Sequence, residues 1–353
     1  MGENTSDRPP LLPDRMSQGD FFVCDIFDAA PKGDMASMEH PVFSISTKPD
    51  RRIRRYENGD RFIEITPSVK GVATVHDRDV LIFCISQVIA AYNEGRPIEQ
   101  TVRFKARDFL AATNRGTDGR GYEQFVAALE RLRGTTITTN IVTGGVEQTR
   151  IFGLVESADI VRQTRDGRMQ DIEVRLSDWV FNAIRGREVL TLHRNYFRLR
   201  KPLERRLYEI ARKHCGQARE WRIGLTKLRL KCGSSSSDKE FRRLVTKIVE
   251  EDRQHHHIPD YELGFDDGKD QLVVLNRDTM KKADAYPEWI RVIRLDGDTY
   301  DEAREAAPGW DPYVIEQEWR DWLATAEKAP PKKPDLAFIR FCAKFYELRG
   351  APS

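Results

Sequence analysis

At 353 residues, with 39% hydrophobic and 32% charged, the chain has apolar material for two or three cores beneath an unusually wet surface. No run of about 18 apolar residues occurs, which excludes a membrane-spanning helix, and the opening MGENTSDRPPLLPDR has neither the basic nor the apolar stretch of a secretory signal. The net charge is only +2, and five scattered cysteines (Cys24, Cys84, Cys215, Cys232, Cys342) form no C-x-x-C pair. They argue against a disulfide framework or a finger-type zinc site, fit a reducing cytoplasm, and read as small buried hydrophobes.

Charge is unevenly placed. From Arg185 to Lys247 there are 19 Lys+Arg against 6 Asp+Glu, a local +13; from Ile248 to Ala329 there are 10 against 21, a local −11. A polyanion-facing middle and an acidic end turned toward something else are expected.

Residues 1–40 are rich in Pro, Gly, Asp and Met without periodicity, and read as a mostly disordered lead-in. RRIRRYENGDRFIEIT (51–66) reads as a hairpin turning at Asn58-Gly59. Asp77 precedes an almost wholly apolar helix, Val80 to Tyr92, stopped by Asn93-Glu94-Gly95. An extended piece (98–104), a helix (105–114), a Gly-rich turn (115–121) and a third helix with Tyr122, Phe125, Leu129 and Leu132 on one face follow. Strand-like runs 135–142 and 149–157, joined by Thr143-Gly144-Gly145, make a hairpin, and a further run (170–177) follows the Asp166-Gly167 turn. Helix, strand, helix, turn, helix, hairpin is the order of a winged helix.

The order recurs about 120 residues later. A helix (202–216), an extended piece (220–224), a short helix (225–233), the capping turn SSSSD and a helix over 241–253 lead to the hairpin IPDYELGF/QLVVLNRD, turning at Asp267-Gly268. Phe241, Leu244, Val245, Ile248 and Val249 form one buried stripe. Acidic helices over 299–307 and 312–328, a Pro/Lys break (329–334) and a final helix (335–349) complete an α+β chain. Its expected segments are a lead-in (1–40), two tandem winged-helix domains (41–178 and 179–285) and an acidic C-terminal helical region (286–353).

Lys239, Arg243 and Lys247 fall at i, i+4 and i+8 of the second copy's third helix, flanked by Arg242 and Thr246. A cationic row opposite an apolar stripe suits phosphate and major-groove contact. In the first copy, Arg115, Arg120, Gln124 and Arg131 lie near the start and on the exposed side of the third helix, diluted by Glu123 and Glu130. Arginine pairs with guanine and glutamine with adenine, so base readout is expected there. Arg51, Arg52, Arg54 and Arg55 offer a grip on backbone or minor groove, or salt-bridge partners for the acidic tail.

Enzymatic readings are weaker. His255-His256-His257 invites a metal-dependent nicking reading, but no carboxylate cluster or tyrosine helix accompanies it, and a polar wing edge grazing phosphate is favoured. No G-x-x-x-x-G-K-[ST] and no G-x-S-x-G occurs. His193 and His214 read as structural. No catalytic residue, cofactor or metal ligand is assigned.

The runs HPVFSISTKPDRRIRRYENG (40–59), ITPSVKGVATVHDRDVLIFCISQ (65–87), PLERRLYEIARKHCG (202–216) and YDEAREAAPGWDPYVIEQEWRDWL (300–323) resemble the plasmid replication initiator protein A family of proteobacteria, over about residues 20 to 350. The resemblance implies a non-enzymatic cytoplasmic initiator with tandem winged helices. It implies binding to direct repeats (iterons) at a plasmid origin, help in opening an AT-rich region, and recruitment of host initiator and helicase. A monomer/homodimer equilibrium that restrains copy number is also implied, as are DNA-binding helices over Gly121–Arg133 and Lys239–Asp252. A transcriptional repressor using the same modules is the alternative.

Overall fold

The computed structural model describes residues 9–15, 24–25, 42–58, 61–93, 96–143, 146–162, 169–185, 190–216, 218–266, 268–279, 286–308, 310, 312–325 and 330–350. The chain is mixed α+β and divides into two compact units. The first is Met1–Lys213 with Gly224–Pro259, and the second is His214–Ile223 with Asp260–Ser353. The expected boundary at 178/179 falls inside the first unit, and segment 179–285 contributes to both.

The first unit begins with residues that were expected to be disordered. Leu11 bridges to Leu199, and β1 (Cys24–Asp25) pairs antiparallel with β9 (Leu190–Thr191); apart from 9–15 and β1, residues 1–40 lie outside the described residues. The hairpin of β2 (Arg54–Asn58) and β3 (Arg61–Thr66) forms with Asn58 opposite Arg61, its turn at 59–60 also outside them. Helix α1 (Arg78–Asn93) is apolar on most sides and is buried accordingly, from Val80 to Ile85 and again at Val88 and Ile89. Strand β4 (Thr101–Lys105), helices α2 (Ala106–Ala112) and α3 (Gly119–Gly134), and strands β5 (Thr136–Thr143) and β6 (Val146–Gly153) follow.

The run expected as one strand over 149–157 is two. The chain breaks at fully buried Leu154, and β7 (Val155–Arg162) leaves for another sheet, pairing with β8 (Met169–Leu176). Sheet order is β2-β3-β5-β6 for one sheet and β4-β8-β7 for the other. The hairpin directly after α3 therefore extends the N-terminal hairpin. The strand between the first two helices pairs instead with the next hairpin. The core between them is aromatic: Phe109 and Phe125 have ring centroids 4.7 Å apart, and Phe83 meets Phe104 edge-on at 4.9 Å. Each such ring contributes about 1.5–3 kcal/mol by burial.

After α4 (Asp178–Arg185) and a short 3-10 helix (Arg194–Arg198), α5 (Pro202–His214), α6 (Leu225–Cys232) and α7 (Asp238–His255) carry the second copy's helices. In α7, Phe241, Val245, Ile248 and Val249 are buried as the stripe predicts, whereas Leu244 is only half-buried at the edge of an open cleft; the Ser237 hydroxyl caps the helix by accepting the Glu240 N–H.

The second unit holds the sheet β10-β12-β11, formed by β10 (Glu220–Gly224), β11 (Tyr261–Asp266) and β12 (Gln271–Asn276). Its order repeats that of β4-β8-β7: the strand between helices sits beside the last strand of the following hairpin. Asn276 and Tyr261 both donate to the Gly216 carbonyl, at 2.7 and 3.0 Å. The His214 imidazole stacks on Trp221 at 4.9 Å, a structural role as expected. Four helices, Glu288–Arg291, Gly297–Ala306, Pro312–Thr325 and Pro334–Arg349, pack on Trp319, Phe338, Cys342 and Phe345. Among the described residues no helix is long and apolar enough to cross a membrane. Cys84, Cys215, Cys232 and Cys342 are buried and form no disulfide among the described residues, and burial pushes the Cys232 and Cys342 thiols up to about 12.

Candidate nucleic-acid interface

On α7, Lys239, Arg243 and Lys247 are exposed along one face, with Arg242 and Thr246 partly covered beside them. Arg243 is held by Glu240 one turn back, at 2.8 and 2.7 Å, an exposed pair that orients the guanidinium without burying it. Beside the helix lies an open cleft of about 530 Å³, onto which Arg52, Lys201, Arg243, Lys247, Ser234 and Ser236 face, with Asp50 as an opposing carboxylate. Arg52 comes from the segment just before β2 in the first copy and Arg243 from the third helix of the second. Lys201 was not singled out from the sequence, because nothing local distinguishes it, and the serines were read only as a capping turn.

The four arginines near the first hairpin are not equivalent. Arg51 is exposed. Arg52 is exposed and held by Asp50 at 3.0 Å, and this hydrogen bond, opposed by partial burial, lowers the Asp50 carboxyl. Arg54 is half-buried and donates to the Val42 carbonyl at 3.0 Å. Arg55 pairs with Glu57 and Glu64 and lies 4.1 Å over the Phe62 ring. Arg54 and Arg55 therefore serve the sheet, and their partners are local rather than in the acidic tail.

On α3, Arg120 and Gln124 are exposed, next to exposed Glu123. Arg115 and Arg131 were expected on that surface but are turned inward. Arg131 clasps Asp77 with two bonds of 2.7 Å, which raises its own pKa further. Arg115 bonds Asp79 at 2.9 Å and the His76 carbonyl. The two aspartates flank the amino end of α1, where helix N–H groups favour negative charge, and each draws in an arginine from near α3.

The same knot continues into α5. Arg205 bonds Asp79 at 2.8 and 3.0 Å, while Arg78 meets Glu209 at 2.6 Å. Glu209 also accepts from the Tyr196 hydroxyl at 2.6 Å and from Arg206 at 3.1 Å. Glu204, Arg205, Arg206 and Glu209 are all buried. Part of the local +13 is therefore internal and neutralised, a correction to the charge count.

The histidine triplet is divided. His256 takes a left-handed turn (φ 49°) that ends α7, leaving His255 and His256 exposed. His257 is buried against Glu204 at 3.3 Å, so it does not graze phosphate. Glu204, Glu251 and His257 bring ligand-type atoms within 4.8 Å of one another, but the Lys201 ammonium already engages both carboxylates. This is an ion-pair cluster closed by a lysine. His193 is structural, as expected: its Nδ1 accepts the Asn195 N–H at 3.0 Å.

The chain matches the family model of replication initiator protein A over residues 32–263. It belongs to the replication initiator protein A family. A protein of Wigglesworthia glossinidia brevipalpis that carries the description of a replication protein is 34% identical over 279 residues, 78% of this chain and 99% of that one. Crystal structures of domains 2 and 3 of RctB are similar with a TM-score of 0.48, at 14% and 15% identity, over 67% of this chain and 94% and 95% of theirs. The exposed row on α7 and the Arg120/Gln124 pair are thus surface features of a replication initiator.

Proposed function

We propose that this initiator acts as a sequence-specific double-stranded DNA-binding protein with no catalytic step of its own. In this reading its two repeated helix–strand–helix–helix–hairpin orders are winged helices, each offering its third helix to a major groove. The observation that carries the reading is the exposed row Lys239, Arg243 and Lys247 on α7, opposite buried Phe241, Val245, Ile248 and Val249. Such a row has no packing role and offers cations in line for phosphate contact. Arg120 and Gln124 on α3 are the base-reading pair, Arg against guanine and Gln against adenine.

Two groove-reading modules on one chain bind neighbouring half-sites, and linkage raises the effective concentration of the second once the first has engaged. Direct repeats at a plasmid origin are the substrate that suits this arrangement. Binding energy beyond the cost of DNA deformation is then available to bend or loosen an adjacent AT-rich tract. The acidic helices over 297–306 and 312–325 repel DNA and suit host replication proteins. A monomer that opens the origin and a homodimer that restrains copy number complete the reading, with the cytoplasm as its place.

The test is a band-shift or anisotropy titration on the flanking plasmid region across a salt series. Changing Lys239, Arg243 and Lys247 together to Ala should weaken binding and flatten the log–log salt slope by about 0.9 for each phosphate contact removed. Unchanged affinity and slope would overturn the assignment of α7.

A further inference from the structure

The short described segment near the amino terminus is hooked onto the first unit at two places. Leu12 donates its N–H to the Arg198 carbonyl at 2.9 Å, and the Arg198 Nε donates back to the Leu12 carbonyl at 2.8 Å. Asp14 pairs with Arg194 at 2.7 Å. At the far end, the Asn114 side-chain amide donates to the Pro13 carbonyl at 3.1 Å, and its oxygen accepts the Arg15 N–H at 2.8 Å.

Asn114 stands in the turn between α2 and α3 with φ 56°, the left-handed region that asparagine tolerates better than most residues. One side chain thus serves the turn and clamps the strap. The clamp sets the Arg15 side chain against the loop that precedes α3. A Cβ built on Gly116 would lie 3.0 Å from the Arg15 Nη1. Arg15 is exposed, and the adjacent Asp14 carboxylate is paired with Arg194. The neighbouring Asp118 carboxylate is occupied in capping α3 through the Gly121 N–H at 2.9 Å.

We propose that Arg15 is a DNA-phosphate contact of this initiator, carried by the strap Leu11–Arg15 to the turn at the amino end of α3. The inference rests on the reading of α3 as a groove-facing helix. The turn before such a helix borders the DNA backbone, and a guanidinium fixed there gains a phosphate contact without the entropy cost of ordering a loose arm. The strap is thus part of the interface that fixes the register of α3 on the duplex.

The full chain is titrated by fluorescence anisotropy onto an origin-repeat duplex and onto a scrambled duplex, over a salt series, with urea melts to check folding. Arg15→Ala should weaken both complexes by about tenfold and lower the salt slope by about 0.9, since a phosphate contact carries no sequence information. Arg15→Lys should restore the slope. Asn114→Gly keeps the left-handed turn but removes both clamp bonds, and should match Arg15→Ala. The double variant should be no weaker than the worse single one.

Unchanged affinity and slope for Arg15→Ala, or a loss of affinity with no change in slope, overturns the inference. If the Lys239, Arg243 and Lys247 triple variant still loses binding, the DNA-binding reading stands without it. If the triple variant binds as the parent does, that reading falls and this inference falls with it.

Discussion

Arg205 on α5 and Asp79 on α1 meet inside the first unit, 126 residues apart in sequence, with side chains only 4% and 1% exposed. The Arg205 guanidinium is fully used: it also donates to the Leu199 and Phe197 carbonyls at 3.1 and 3.0 Å and lies 5.0 Å over the Tyr196 ring. Burial would lower its pKa, but Asp79, with Tyr196 and Glu209 behind it, more than offsets that burial, and the pKa is raised. The pair joins the first helix of one repeated order to the first helix of the next.

Asp79→Asn keeps the shape but leaves a buried guanidinium without its counter-charge. It should cost about 3–5 kcal/mol in urea unfolding. The double change Asp79→Leu with Arg205→Met should cost less than the sum of the single changes, since it removes both charges together. Strict additivity would mean that the pair is not coupled.

Arg131 is a stability residue on this geometry. Arg131→Ala breaks two bonds to a nearly buried carboxylate and should cost about 2 kcal/mol without altering the preferred sequence in a randomised-site selection. Gln124→Ala, on the exposed face, should alter that preference and leave the melt unchanged. The opposite pattern would return base readout to Arg131.

Burial, followed by the charges of Arg205 and Arg115, holds the His76 imidazole well below its ordinary 6.5. Folded His76 therefore stays neutral at a pH where the unfolded chain binds a proton. Its contribution is fully present above about pH 6.5 and is lost as pH falls from there toward the lowered folded value. Stability measured between about pH 7 and 5 should decline less for His76→Gln than for the parent. Parallel profiles would remove the role.

Two glycines of α3 should respond oppositely to alanine. A Cβ on Gly121 would stand 1.9 Å from the Gly116 carbonyl oxygen, backbone that cannot rotate away, whereas nothing lies within 4 Å of one on Gly119. Gly121→Ala should lower stability by roughly 2–3 kcal/mol through displacement of the turn. Gly119→Ala should raise it by roughly 0.5 kcal/mol by restricting the unfolded chain. Thermal melts of the two variants decide the matter.

Much of the architecture was legible in one dimension. Asp77 before an apolar run announced α1, the Ser-rich turn announced α7, and the Phe241-to-Val249 stripe assigned its buried face. Sheet partnership was not legible. Nothing in β5 or β6 says that they extend the β2–β3 hairpin, because alternation reports which face is buried and not which strand lies alongside. The strap at 11–15 was hidden for a related reason: apart from the Asp14 carboxylate, it is held through the backbone groups of Leu12, Pro13 and Arg15, which every residue possesses in some form.

The amino-acid sequence by itself determined the helices, the repeated order of elements and the presence of an exposed cationic row on α7. Apolar periodicity is a local property, and burial follows it closely. Only the tertiary structure decided which charges face outward. Arg115, Arg131, Arg205 and Arg206 look like Arg120 and Arg243 in a charge count. They go inside because Asp77, Asp79 and Glu209 arrive from elsewhere in the chain to meet them. A buried charge is tolerable only when a partner is delivered to it, and that delivery is a product of the fold.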